Sequence, residues 1–307
     1  MHYTVDKPLH GSTEWLNLRW VDDFGAKRVA ASDAAAIYGL HPFKSAERYA
    51  AELLSATPPE PKEANDAMER GTRLEPALRE WVAAKIGQGI HEPTKMYCYG
   101  GMIATLDGMT EDGQVVEIKT TTKTWNGTLP DHWRIQGIQQ AICANVDSII
   151  WGIFDSSQTL HLYTQTVSSD EKAEHEAAVK KWLESIDFGI APDGIQWSYE
   201  TISERYPEPT MLSVEVGPRG KELLEQMRHV KSEAKAYAEM EDKLKAEFCE
   251  LMEGADQATI DGNVVATWRS QKRTSFDAKT FKAENPELAS KYNKTNNIRV
   301  FLLKGDK

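Results

Sequence analysis

The alternation of apolar and polar positions predicts helices over the first part of the chain, then strands interleaved with helices, then one long helix before a C-terminal hairpin and tail. Ser12 and Thr13 stand before Glu14-Trp-Leu-Asn-Leu-Arg19, a capped helix start. Ser32 precedes Asp33-Ala-Ala-Ala-Ile-Tyr38, which Gly39 closes, and a further helix is predicted over 46–54. The run Thr57-Pro-Pro-Glu-Pro-Lys62 is a loop. A longer helix carries Leu74, Leu78, Trp81 and Val82 on one face and ends at Gly87. Two apolar runs follow, 102–107 and 115–120, and Glu111-Asp-Gly113 between them is a hairpin signal. A helix over 133–144, strands near 149–154 and 160–167, and a helix over 171–186 complete this part. Strands interleaved with helices predict an α/β (α+β) core, a mixed sheet covered by helices.

Pro192, Gly194, Pro207 and Pro209 mark a boundary. The expected organisation is a core over 1–195, a linker over 196–217 and a C-terminal part over 218–307. That last part opens with a long helix, 221–253, stopped by Gly254. Its apolar or small positions alternate by fours and threes, with Glu241 interrupting the stripe. This spacing suits a helical arm packed on itself or on a partner, or a surface helix packed on its own domain. A small hairpin over 258–268 and a basic tail finish the chain.

Composition narrows the class. The net charge of −11 argues against nucleic acid only until its distribution is considered, because binding depends on where the bases lie. Downstream of Val264, Arg269, Lys272, Arg273, Lys294 and Lys307 belong to a run in which bases outnumber acids, compatible with DNA phosphates. No apolar run approaches the roughly 18–20 residues that span a bilayer. Met1-His-Tyr-Thr-Val-Asp lacks the basic and then apolar regions of a signal peptide. Cys98, Cys143 and Cys249 are scattered, without zinc, redox or disulfide spacing, and are too few for the usual iron–sulfur ligands. The expected location is a reducing cytoplasm.

The candidate chemistry lies in the hairpin. Residues two apart on a strand share a face, so Glu117 and Lys119 point together with Ile118 behind them. If Asp107 ends the neighbouring strand, three charged groups converge. Two carboxylates and a lysine suit Mg²⁺-dependent phosphodiester cleavage, with hard oxygen ligands and a cation beside the attacking water. A solvated edge strand is the competing reading, because acid-x-Lys triplets also occur at Glu60, Asp170, Glu233, Glu241 and Asp277. Only Glu117-Ile-Lys119 has a β-branched run before it and threonines after it. Glu75, in Arg70-Gly-Thr-Arg-Leu-Glu-Pro76, is either a further acid near the metal or the glutamate of a Thr72 capping box. Gln136 is either a site residue or an ordinary polar helix position. Arg19 and Ser32 are either a surface base and an N-cap or a terminal-phosphate pocket at a helix N-terminus.

The order Glu14-Trp-Leu-Asn-Leu-Arg19, Val29-Ala-Ala-Ser32-Asp, Arg70-Gly-Thr-Arg-Leu-Glu75-Pro, Leu106-Asp107-Gly, Val116-Glu117-Ile-Lys119 and Gln136 resembles the lambda-exonuclease-like (YqaJ-type) phage recombination nucleases of the PD-(D/E)xK superfamily, over roughly residues 10–190. The resemblance implies a restriction-endonuclease-like core with Asp107, Glu117 and Glu75 at the metal site. It implies that Lys119 activates water, that Gln136 lies beside the metal, and that Arg19 and Ser32 hold a DNA 5′-phosphate. The Ile118 carbonyl is a further candidate ligand. Mg²⁺, replaceable by Mn²⁺, is the implied cofactor. Duplex DNA ends, a single-strand annealing protein and a trimeric ring of identical chains are the implied partners. Leu106 stands where the family has proline, and Gln136-Gly-Ile138 departs from the common Gln-x-Gln, with Gln139 and Gln140 following. An endonuclease or RecB-like single-strand nuclease of the same superfamily remains open, as does a non-catalytic DNA-binding recombination scaffold.

Overall fold

The computed structural model describes all residues except 62, 64, 207, 211, 273, 294–298 and 305–307. Lys62 of the proline-rich loop and Arg273, Lys294 and Lys307 of the basic tail therefore lie outside the described residues. The chain forms two compact units, Met1–Tyr206 and Pro207–Lys307.

The first unit runs β1 (Tyr3–Asp6), α1 (Thr13–Trp20), β2 (Val29–Ala30), a 3₁₀ helix (Ala34–Tyr38), α2 (Ala46–Leu54), α3 (Asp66–Ile86), β3 (Ile90–His91), β4 (Lys95–Tyr99), β5 (Met102–Ala104), β6 (Gly108–Thr110) and β7 (Val115–Thr120). It continues with α4 (Asp131–Ala144), β8 (Ser148–Phe154), β9 (Leu160–Thr166), α5 (Ser169–Asp187) and α6 (Tyr199–Arg205). The last of these is a helix inside the segment read from sequence as linker.

The strands form a five-stranded sheet ordered β3-β6-β7-β8-β9 and a four-stranded sheet ordered β1-β4-β5-β2. In the larger sheet β7 and β8 are parallel and the other pairs antiparallel. This is the expected mixed sheet with helices on its faces. β7 is central, so the solvated-edge reading of Glu117-Ile-Lys119 is wrong. Its alternation sorts two cores: Val115 belongs to the cluster that includes Ile138 and Ile142 of α4, whereas Val116 and Ile118 pack with Leu78 and Val82 of α3.

The expected hairpin has a different first strand. The run 102–107 is not one strand: β5 ends at Ala104 and pairs with β4 and β2 in the smaller sheet. The hairpin partner of β7 is β6, with Gly108 opposite Val116. Asp107 thus sits where the chain leaves one sheet for the other. Apolar periodicity does not reveal this break, because residues 102–106 are buried or half-buried on both sides of it.

Two helix starts also differ from expectation. α3 begins at Asp66, where the Asn65 side chain accepts hydrogen bonds from the N–H groups of Ala67 and Met68. Thr72 therefore lies inside the helix, its hydroxyl donating to the Met68 carbonyl, and no capping box exists at Glu75. Pro76 is tolerated within α3 although it removes one helical donor. Ser32 caps nothing: the segment after it is a five-residue 3₁₀ helix with Asp33 at its start and no side-chain cap bond.

Gly137 lets α4 approach the large sheet. A Cβ there would lie 2.3 Å from Gln165 Oε1 and 2.9 Å from Trp151 Cζ2. Gln165 cannot swing away freely, because it accepts from Trp151 Nε1 and donates to the Arg134 carbonyl. Gly137→Ala is expected to destabilise the protein by roughly 1–2 kcal/mol in urea unfolding, overpacking outweighing the gain in helix propensity. Unchanged or higher stability would refute this close approach.

The second unit contains α7 (Gly217–Met252), a hairpin of β10 (Gln257–Ile260) and β11 (Asn263–Thr267), α8 (Ala278–Glu284) and α9 (Pro286–Tyr292). α7 matches the predicted long helix, with Pro218 in its first turn and Glu253 and Gly254 closing it at positive φ.

Candidate active site

A cavity of about 750 Å³ opens on the first unit, and Arg19, Ser32, Glu75, Asp107, Glu117, Lys119 and Gln136 all line it. Of the expected site residues only Ile118 is not among the lining residues. Its side chain faces α3, and its N–H donates to Asp107 Oδ2 at 2.8 Å. That bond ties the start of β6 to the middle of β7.

Glu117 is the centre of the arrangement and is 2% exposed. Lys119 Nζ and Gln136 Nε2 each donate to its Oε1 at 2.6 Å, and Gln140 Nε2 donates to its Oε2 at 2.6 Å. Gln136 and Gln140 stand one turn apart on α4, so one helix face supplies both amides. Lys119 reaches back along its own strand because residues two apart share a face.

The acids are crowded. Burial and the Glu117 carboxylate push the Asp107 carboxyl well above its ordinary range, with Glu75 adding to the effect. Glu75 is raised as well, by burial and by Glu117, although Arg79 opposes this. Burial by itself would lower the Lys119 ammonium, but Glu117 and Asp107 outweigh it and hold its pKa above the usual value. Lys119 is therefore a fixed positive charge rather than a neutral amine.

Two contributors were not anticipated. Arg79 donates to Glu75 Oε1 and to the Asp107 carbonyl, each at 2.7 Å, clamping α3 to the segment between the sheets. Its only sequence trace is the i, i+4 spacing from Glu75, which many surface pairs share. Gln140, fully buried, was noted in the sequence only as a neighbour of Gln136. Spacing from Gln136 by one turn is the signal that would have found it.

Elsewhere in the cavity lining, Arg19 Nη2 donates to Ser32 Oγ and to Asp33 Oδ2, the latter at 3.0 Å. The guanidinium lies over the Trp15 ring, 4.1 Å from its centroid. Lys44 Nζ also pairs with Asp33, at 2.9 Å. Burial raises the Asp33 carboxyl, but Arg19 and Lys44 together hold it below its ordinary value. Asp33 and Lys44 carried no sequence signal, since Asp33 meets Arg19, and Lys44 meets Asp33, only through the fold.

The donor set suits a hard divalent cation. Among the described residues no three His, Cys, Asp or Glu side chains already form a closed cage. Mg²⁺ does not need one, because it keeps several waters and takes one or two carboxylates. Asp107 and Glu117 could provide these, and a cation bound there would relieve their crowded charge. Gln140 Oε1, a buried acceptor with no hydrogen-bond partner, adds a further unsatisfied oxygen in the same neighbourhood.

Residues 14–147 match the family model of the YqaJ-like viral recombinase domain. No curated protein matches the chain. Among solved structures, it is similar to an alkaline exonuclease (LHK-Exo) from Laribacter hongkongensis, at 24% identity and a TM-score of 0.48, covering 58% of this chain and 93% of that one. A complex of LHK-Exo with dAMP matches at 21% identity and TM-score 0.48, covering 64% and 98%. A phage related exonuclease from Haemophilus somnus 129PT matches at 11% identity and TM-score 0.43, covering 54% and 97%.

Proposed function

Residues 14–147 carry a YqaJ-like viral recombinase domain, and from that premise we propose that the protein is a Mg²⁺-dependent nuclease acting on double-stranded DNA ends. It digests the 5′-ended strand in the 5′→3′ direction, leaving 3′ single-stranded overhangs for phage or prophage recombination. The observation that carries this reading is the shared cavity, lined at once by the acid–acid–lysine set and by Arg19 with Ser32. A cleavage centre open to any phosphodiester does not need a second anion grip, whereas one that starts at a terminus does.

Asp107, Glu117 and the Ile118 carbonyl would hold Mg²⁺, or Mn²⁺ in its place, which supplies Lewis-acid polarisation of the phosphoryl oxygens when bound. Lys119, held as an ammonium by Glu117, orients the attacking water and offsets charge gathering on the phosphoryl group. Gln136 and Gln140 fix the Glu117 carboxylate so that it does not rotate as the cation arrives. Glu75, steadied by Arg79, is the further acid beside the metal. Arg19 and Ser32 take the 5′-phosphate and set the register of the first bond to be cut. In this reading the protein works in the cytoplasm as a homo-oligomeric ring, a trimer by resemblance, and hands its product to a single-strand annealing protein. No described helix is long and apolar enough to cross a membrane.

The test compares linear duplex bearing 5′-phosphate, linear duplex bearing 5′-hydroxyl and covalently closed circular DNA, each with Mg²⁺ or with EDTA. Metal-dependent loss of the linear substrates, fastest with phosphate, is expected. Cutting of closed circles would replace this reading with an endonuclease. DNA binding without any cleavage would leave a recombination scaffold.

A further inference from the structure

The long helix of the second unit has a use that the nuclease reading does not require. Leu223, Val230, Tyr237, Leu244 and Leu251 recur every seven residues, and Met227, Ala234, Glu241 and Phe248 recur four residues after them. Together they form a seam of alternating threes and fours along α7, apolar or small except at Glu241. The seam is in the open: Val230 is 65% exposed, Tyr237 67%, Leu244 61% and Leu251 79%. An apolar stripe of this length on a soluble helix marks an interaction surface.

Charge along the helix identifies the occupant. Residues 217–235 hold five Lys and Arg against three Glu, a net +2, whereas residues 236–252 hold two Lys against five Asp and Glu, a net −3. A second copy laid antiparallel brings each basic half against an acidic half. A parallel copy would set acidic halves side by side and put Glu241 against Glu241 across the seam, a like-charge contact at a buried position.

We propose that α7 forms an antiparallel two-stranded coiled coil with α7 of a second copy of this chain. The charges also select its register. With Met227 set against Leu244 of the second copy, small Ala234 meets large Tyr237, and Phe248 meets Leu223. Glu241 then meets Val230 beside Lys231, while Glu233 lies beside Met240 and Lys231 beside Ala238. A slip of one heptad would face Glu233 with Glu247 and Lys231 with Lys245, two repulsive pairs. Whatever assembly the first unit makes, the arm adds a two-fold contact to it.

Two measurements on the full-length protein test this. Light scattering should give a mass for Val230→Asp/Leu244→Asp that is half the wild-type mass or less, and equal masses would overturn the proposal. Because that variant could lose its helix outright, spin labels on the intact seam give the second measurement. Cys249→Ser removes the only described cysteine that is not buried. In that background, Glu225→Cys and Ser232→Cys place labels on the outer face of the coil. At 1.5 Å per residue, the proposed register separates the first pair by about 32 Å along the axis and the second by about 10 Å. Equal separations at the two positions, or no intermolecular coupling, would overturn the proposal.

Discussion

Asp107→Asn should abolish DNA cleavage while making the metal-free protein more stable. The activity loss should reach at least about 10²–10³-fold, the range for removing a group that organises charge at a reacting centre. Stability should move the other way, because Asp107 is a buried carboxyl crowded by Glu117 and Glu75. Asparagine keeps an oxygen to accept the Ile118 N–H while removing the charge. The same shift sets a pH dependence. A carboxyl whose pKa is raised in the folded state holds a proton that the unfolded chain has released. The resulting stabilisation is fully present below the ordinary value of 3.8 and is lost as pH rises through the folded value. Metal-free wild type should therefore lose melting temperature as pH increases, and Asp107→Asn should lose less. Glu75 is raised too, so the slope shrinks without vanishing. Because a cation must displace those protons, Mg²⁺ should stabilise wild type more at alkaline than at acidic pH. Thermal melts in EDTA and in Mg²⁺ across this range read all three effects. A variant that melts lower than wild type and still responds to Mg²⁺ would remove Asp107 from the metal site.

Arg19→Ala should erase the preference for phosphorylated ends. Charge-assisted hydrogen bonds of this kind contribute about 1.5–3 kcal/mol, so wild type should favour a 5′-phosphate by roughly 10–100-fold. Asp33 anchors one side of the guanidinium, and its five donors leave others for the phosphate. The substitution also strips Asp33 of one of its two cations, leaving Lys44. Some loss of stability is expected, and for that reason the readout is a ratio. Initial rates on phosphate and hydroxyl ends should converge in the variant. Rates that fall equally on both ends, with the preference kept, would make Arg19 structural and end the pocket assignment.

The acid-x-Lys triplets show how far local pattern reaches. Six occur in the sequence, and among the described residues only Glu117-Ile-Lys119 occupies a central strand. Those at Glu233 and Glu241 lie within α7, and Asp277 caps α8. β-Branched residues before Glu117 were enough to separate it, because strand propensity and the two-residue repeat are written in neighbouring positions. The heptad spacing along α7 was legible for the same reason, since a helix repeats its faces within a few residues.

Asp107 and Ser32 mark where that legibility ended. Apolar pattern placed Asp107 at the end of a hairpin strand, but the chain changes sheets there, and only pairing partners distant in sequence decide which sheet a buried run joins. Ser32 looked like a cap, but the next turn is a 3₁₀ helix without a side-chain cap, and Ser32 instead accepts from Arg19, thirteen residues away. The roles of Arg79 and Gln140 became visible only when α3 and α4 met the strands, and that of Lys44, just before α2, only when it met Asp33. By itself the sequence determined the longer helices, strands β7 to β9, the C-terminal hairpin and the face shared by Glu117 and Lys119, all of which follow from spacing along one segment. The tertiary structure alone decided that Asp107, Glu117 and Lys119 share one cavity with the Arg19–Ser32 pair. Such convergence depends on contacts between segments scores of residues apart, which no local periodicity encodes.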